Sequence, residues 1–220
     1  MNIELRKMDK KEITNIYEFR MRHDFPVTEL KPLENMIDMM ERGVYECLLA
    51  SENGEPVGYA LVLILEDFPY GLLDYLGVFA EKRNQGYGSR ILSALAEYYK
   101  NRNLIIESEY PKDAPDEQMA KRRIGFYQRN GAVNTGVESR IYGVHFVNFI
   151  LLDKADQLNP MQNLEFSNTE DSNIPAEKVA KNNNQMPPAE TVLNILSRLY
   201  QGMIPDERKR EKYLQFWMIH

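Results

Sequence analysis

Apolar and polar positions along the first 153 residues recur with two periods, near two and near 3.6. Residues 2–8 read as a short strand. Asp9 is placed to cap a helix over 10–23, whose Ile13, Ile16, Tyr17 and Met21 share a face. Pro32 opens a second helix, in which Leu33, Met36, Ile37 and Met40 recur at helical spacing until Gly43 stops it. Residues 45–51 and 56–66 read as strands joined by the turn Glu52-Asn53-Gly54-Glu55, so the pair predicts a hairpin. A third strand spans Leu72–Phe79, followed by a loop with two glycines and a helix over 87–101 that turns Ile91, Leu92, Leu95 and Tyr99 inward. Leu104–Tyr110 predicts a strand. A helix then starts at Asp113 or Asp116 and ends at Gly131, and strands follow over Val137–Tyr142 and Val144–Leu152. The order β-α-α-β-β-β-α-β-α-β-β predicts a mixed α/β domain.

Beyond Asp153 the pattern breaks. Residues 157–187 hold seven Asn and three Pro and few large apolar side chains, so 154–187 reads as a linker or arm between a domain of residues 1–153 and an extension over 188–220. In the extension, Val192, Leu193, Ile195, Leu196, Leu199 and Tyr200 make a strongly apolar helix that ends near Gly202. Pro205 and Asp206 begin another helix, expected over 206–218, with a basic start and an apolar end. Such a surface must be covered. These helices either pack on the domain or build a homodimer contact.

Composition narrows the partners. With 43% apolar and 27% charged residues the chain can bury a real core. A net charge of −6 and a pI near 5.3 count against a nucleic-acid partner and favour a cationic small molecule or basic peptide. The longest apolar runs, Tyr59–Leu65 and Val144–Leu152, are too short to span a membrane, and the first residues lack a signal-peptide pattern. The expectation is a cytoplasmic protein without membrane contact. Cys47, the single cysteine, reads as a small buried hydrophobe, and the helical methionines as core filling. His23, His145 and His220 have no metal-ligand spacing, so no metal site is expected.

The segment Asp74–Leu92, D-Y-L-G-V-F-A-E-K-R-N-Q-G-Y-G-S-R-I-L, joins a strand to a helix through Gly86 and Gly88. Free first-turn amides and the helix dipole make such a loop an anion site, and glycines let the backbone approach a phosphate. Lys82, Arg83 and Arg90 add charge. A plain turn is one reading. A dinucleotide loop is a second, but Ile91 stands where its third glycine belongs and several strands precede it. A cradle for an acyl-CoA diphosphate is the third.

Leu76-x-Val78, Arg83-x-x-Gly86-x-Gly88 and Ile91-Leu92 together resemble the central motif of the GNAT acetyltransferases, Q/R-x-x-G-x-G/A. Phe126-Tyr127 before Asn130-Gly131 resembles that family's second signature, about 40 residues on with a strand between. The resemblance covers roughly residues 1–153. It implies the GNAT acyl-CoA N-acyltransferase fold with a C-terminal helical extension, its sheet splayed between the fourth and fifth strands. It also implies acetyl-CoA as co-substrate and transfer of the acetyl group to a primary amine. The cradle would be Asn84, Gln85, Gly86, Tyr87, Gly88 and Ser89 with Arg83 beside it. Pantetheine would run along Val78 and Phe79, where a bulge splays the strand. Tyr127 matches the usual general acid.

For the base, Glu107 is the first choice, with Glu109, Asp74 and Glu66-Asp67 as alternatives. Glu107 and Glu109 flank Ser108 on a strand and share a face. Aligned on Tyr127, Ala120 and Arg123 depart from the family's usual Asn and small residue, which puts CoA contacts there in question. A sensor that binds acyl-CoA without turnover is the rival reading.

Overall fold

The computed structural model describes residues 2–153 and 186–219. Most of the expected linker, residues 154–185, therefore lies outside the described residues. The chain order is β1 (Glu4–Lys7), α1 (Lys10–Ile16), α2 (Leu33–Glu41), β2 (Tyr45–Glu52), β3 (Glu55–Ile64) and β4 (Tyr70–Val78). It continues through α3 (Tyr87–Tyr98), β5 (Asn103–Glu109), α4 (Glu117–Arg129), β6 (Val133–Ile141) and β7 (Val144–Leu151). The extension adds α5 (Ala189–Met203), α6 (Glu207–Tyr213) and β8 (Leu214–Met218). Asp9 caps α1 in a reciprocal capping box with Glu12, and α1 runs on through a π-helical turn, Tyr17–Met21.

One eight-stranded sheet has the order β1-β2-β3-β4-β5-β7-β6-β8, antiparallel except for β4 beside β5. Alternation divides its side chains between two cores. Tyr59, Leu61 and Leu63 of β3 face α1, α2 and α5, where Ile13, Met21, Met36, Met39 and Leu199 are buried. Ala60 and Val62 face the other side, against Ile91, Leu92 and Leu95 of α3. Cys47 is buried, and burial pushes its thiol up to about 12, which leaves it inert as a nucleophile.

The extension packs in cis. Val192, Ile195, Leu196, Leu199, Tyr200 and Met203 are buried against the domain's own sheet, so the apolar face of α5 is taken up within the chain rather than in a dimer contact. The predicted helix over 206–218 is corrected: it ends at Tyr213, and β8 extends the sheet. Without β8, β6 would leave a row of unpaired backbone groups at the sheet edge. Leu214 and Phe216, two apart, pack inward once β8 pairs with β6 from Ile141↔Leu214 to Val137↔Met218. Among the described residues no helix is long and apolar enough to cross a membrane.

If α5 is part of one cooperative unit, Leu199→Ala should cost about 3 kcal/mol, in the range of buried leucine truncations. Urea unfolding followed by circular dichroism and by Trp217 fluorescence should show one transition with a lowered midpoint. A separate, earlier transition of the tail alone would contradict this packing.

Candidate active site

β4 and β5 are paired only from Tyr70↔Asn103 to Leu73↔Ile106. Beyond that point they part, and Asp74–Val78 faces Glu107–Glu109 across a gap. The parting begins at a bulge: β3 pairs Leu61 with Tyr75 and Val62 with Leu73, which leaves Asp74 as the extra residue. The bulge is thus at Asp74 and not, as the resemblance implied, at Val78 and Phe79. The gap opens into a cavity of about 890 Å³. Its walls come from both strands, from the chain between α1 and α2, from α4 and from the extension.

At one end is the glycine loop. Gly86 adopts a left-handed conformation (φ 79°) as the N-cap of α3. Arg90 N–H returns to the Gly86 carbonyl at 3.3 Å, so the amides of Tyr87, Gly88 and Ser89 have no partner inside the helix. The Phe126 ring lies 3.2 Å from where a Cβ on Gly88 would stand, which brings the two sequence signatures together. Phe79 N–H bonds Val57 O at 3.0 Å. By the antiparallel alternation, Val78 and Leu76 then turn their amides out of the β3 ladder towards the gap.

The expected cradle is only partly gathered. Val78, Arg83 and Gly88 line the cavity; among the described residues Asn84, Gln85, Gly86, Tyr87 and Ser89 do not. Phe79 is not among the described residues that line the cavity: its ring is buried against Tyr59 in the core and its N–H is taken by Val57 O. The flanking cations are also already paired: Lys82 with Glu55, Arg83 with Asp24 and Arg90 with Glu52. The anion-binding character of the loop therefore comes from its amides. Arg122 and Arg123 of α4 line the cavity.

Tyr127 lines the cavity four residues after Arg123, on the same side of α4. Burial raises its phenol to about 12, partly offset by the Arg123 charge, so it carries its proton at neutral pH. The acids sort by their partners. Glu107 Oε2 accepts the Tyr200 hydroxyl at 2.7 Å, and Ser139 Oγ stands 3.5 Å from Oε1. Burial pushes Glu107 up to about 7, while the Tyr200 hydrogen bond and the Lys31 charge pull the other way. Glu109 is paired with Arg123 at 3.0 Å. Asp74 is saturated by Lys31 at 2.7 Å and by the Tyr45 hydroxyl. Glu66 and Asp67 are exposed, do not line the cavity among the described residues, and drop out as bases.

Sequence reasoning did not single out two contributors by residue. Glu29 lies 3.6 Å from Arg123, and among the described residues its buried Oε1 has no hydrogen-bond partner. Burial, and then the Glu109 charge, raise its carboxyl to about 7. The extension supplies Tyr200, Met203, Ile204 and Asp206 to the wall. Lone acids and aromatics carry no periodic signal, so neither was findable locally. His145 sits between Asp113 and Glu138 and stacks on Tyr110. Among the described residues, no group of three or more His, Cys, Asp or Glu is arranged to hold a metal ion.

The family model for the acetyltransferase (GNAT) family matches residues 10–132. A search of curated proteins finds no match. Among solved structures, the chain is similar to a protein from Bacteroides thetaiotaomicron assigned to the GNAT family, with 23% identity, TM-score 0.55, and 70% of this chain and 90% of that one covered. It is also similar to the ribosomal-protein-S18-alanine N-acetyltransferase of Escherichia coli (16%, TM-score 0.53, 74% and 99% covered). A third is the Vibrio cholerae spermidine N-acetyltransferase in complex with CoA and spermine (7%, TM-score 0.52, 70% and 96% covered). At these identities the likeness is one of fold.

A carboxyl whose folded-state pKa is raised leaves the fold most stable while it is protonated. Stability from Glu107 is therefore full below its ordinary value near 4.5 and is lost as pH rises through about 7. Glu107→Gln, which cannot ionise, should be more stable than the parent by up to about 3 kcal/mol at pH 8.5 and by less than about 1 kcal/mol at pH 5. Thermal melts at the two pH values check the sign.

Proposed function

The chain belongs to the GNAT family of acetyltransferases and is an acyltransferase. From that premise we propose that it moves an acetyl group from acetyl-CoA to the primary amine of a small cationic molecule, by direct attack while donor and acceptor are bound together. The observation that carries this is the meeting, on one cavity, of a protonated phenol and an acid poised near 7. We take residues 1–153 as the acetyltransferase domain and 188–220 as an extension packed onto it.

In this reading the free amides of Tyr87, Gly88 and Ser89 hold the diphosphate. The gap-facing amides of Leu76 and Val78 run beside the pantetheine arm and polarise the thioester carbonyl. Glu107 takes a proton from the acceptor nitrogen as the N–C bond forms. A buried carboxyl near 7 is partly ionised at neutral pH, where a base that both accepts and releases protons works best. The tetrahedral intermediate collapses with loss of the C–S bond, and Tyr127 protonates the departing thiolate. Glu29, with an unpartnered oxygen in the wall, supports a cationic acceptor, because an ammonium group would complete its hydrogen bonding.

Calorimetry should find CoA binding, and a thiol-release assay over polyamines, aminoglycosides, amino acids and a peptide with a free N-terminus should find turnover on a small amine. Tyr127→Phe should lower kcat about 100-fold or more with CoA affinity retained. An unchanged kcat removes Tyr127 from the acid role. Binding without release on any amine supports a sensor instead, and release confined to the peptide moves the acceptor to a protein.

A further inference from the structure

The acceptor side of the cavity is finished by a segment outside the residues that match the family. The match ends at residue 132, yet the closest polar contact of Glu107 comes from residue 200. Tyr200 sits on the last two turns of α5, is 1% exposed, and donates its hydroxyl to Glu107 Oε2 at 2.7 Å.

The position of Tyr200 is fixed from several directions. Arg42, at the end of α2, donates to the carbonyls of Gly202 and Met203 at 2.8 and 3.2 Å, which satisfies orphan acceptors at the C-terminus of α5. A Cβ on Gly202 would stand 2.3 Å from Leu65 Cδ2, so a residue without a side chain lets the helix end lie against the end of the sheet. The Tyr200 ring packs at 5.7 Å on Phe216 of β8.

The contact is asymmetric. Oε2 of Glu107 holds a short bond to a buried phenol, whereas Oε1 has Ser139 Oγ at the limit of hydrogen bonding. A carboxylate pinned through one oxygen presents the other in a fixed direction. Resting on the reading of Glu107 as the base, we propose that Tyr200 is a positioning residue for that base, so that docking of the C-terminal extension completes the acceptor site. Tyr200 fixes the rotamer of Glu107 and favours its ionised form, because a donor to a carboxylate stabilises the charge. The other groups facing Glu107 are Lys31 before α2, Asp74 at the β4 bulge with Tyr45 behind it, and Ser139 of β6; Tyr75 acts on Tyr200.

The test is a pH titration of the full-length protein carrying 13C at the glutamate side-chain carboxyls. The Glu107 resonance is identified by its loss in Glu107→Gln. The parent should titrate near pH 7. Tyr200→Phe, which keeps the ring, should move the midpoint up by about one pH unit, a tenfold smaller ionisation constant. Ser139→Ala should barely move it. A 3,5-difluorotyrosine at position 200 keeps the shape with a stronger donor and should move the midpoint down, a readout that stands if the phenylalanine variant fails to fold. Unmoved midpoints in both would overturn the proposal, because a merely structural tyrosine would change stability alone. The base reading is judged separately by thiol release: full turnover in Glu107→Gln removes the base, while the titration still decides whether Tyr200 governs the carboxyl.

Discussion

One buried ion pair, Lys31 with Asp74, stands where β4 and β5 part, and much of the site depends on it. Asp74 is the extra residue of the bulge, and its side chain is 5% exposed. A carboxylate so placed is tolerable only with strong donors. It has two, the Lys31 ammonium at 2.7 Å and the Tyr45 hydroxyl. The pair therefore ties three elements that are distant in sequence: the chain between α1 and α2, the second strand and the bulged fourth. It also turns β4 out of register with β5 at the residue where the cavity begins. A parallel ladder continued to Val78 and Glu109 would have closed the gap and consumed the amides that now face it.

The chain from Phe25 to Pro32 is held by the same chemistry. Tyr75 accepts Lys31 N–H at 2.9 Å through its hydroxyl and donates to the Glu29 carbonyl at 2.7 Å. Phe25 packs edge-on against the same ring at 4.9 Å. Glu29 is thereby carried to Arg123 and Glu109, where three charges share a small volume. Burial, and then the Glu109 charge, raise Glu29 against the pull of the one guanidinium, which gives this end of the cavity its affinity for a proton or another cation.

What the sequence made legible was local. The glycine loop is a run of consecutive residues whose amides are free because a helix starts there, and Phe126-Tyr127 sits at a helix end that Asn130-Gly131 announces. Those signals need no knowledge of tertiary contacts. The bulge at Asp74 did, because it exists only in the pairing of β4 with β3, where nothing in Leu73-Asp74-Tyr75 marks it. The turn of the Phe79 ring into the core is hidden for the same reason: the strand's direction at its end depends on the Val57 hydrogen bond. The apolar end of the tail, Leu214 to Met218, contains both helical and strand spacings, and the open edge of β6 decided between them.

The extension then reads as part of the cavity's wall rather than an appendage. A helix added only to cover apolar surface would satisfy the sheet with aliphatic side chains alone. α5 instead brings a phenol into a buried position facing a carboxyl, and burying two polar groups is justified energetically only when they satisfy each other. The arrangement is costly to either partner alone: Tyr200 without Glu107 would leave a buried hydroxyl, and Glu107 without Tyr200 a less solvated charge. Each therefore supports the other's place, and folding of the tail and ionisation of Glu107 become linked quantities. Through that linkage, residues more than 60 positions beyond the matched domain reach a buried carboxyl of the cavity wall.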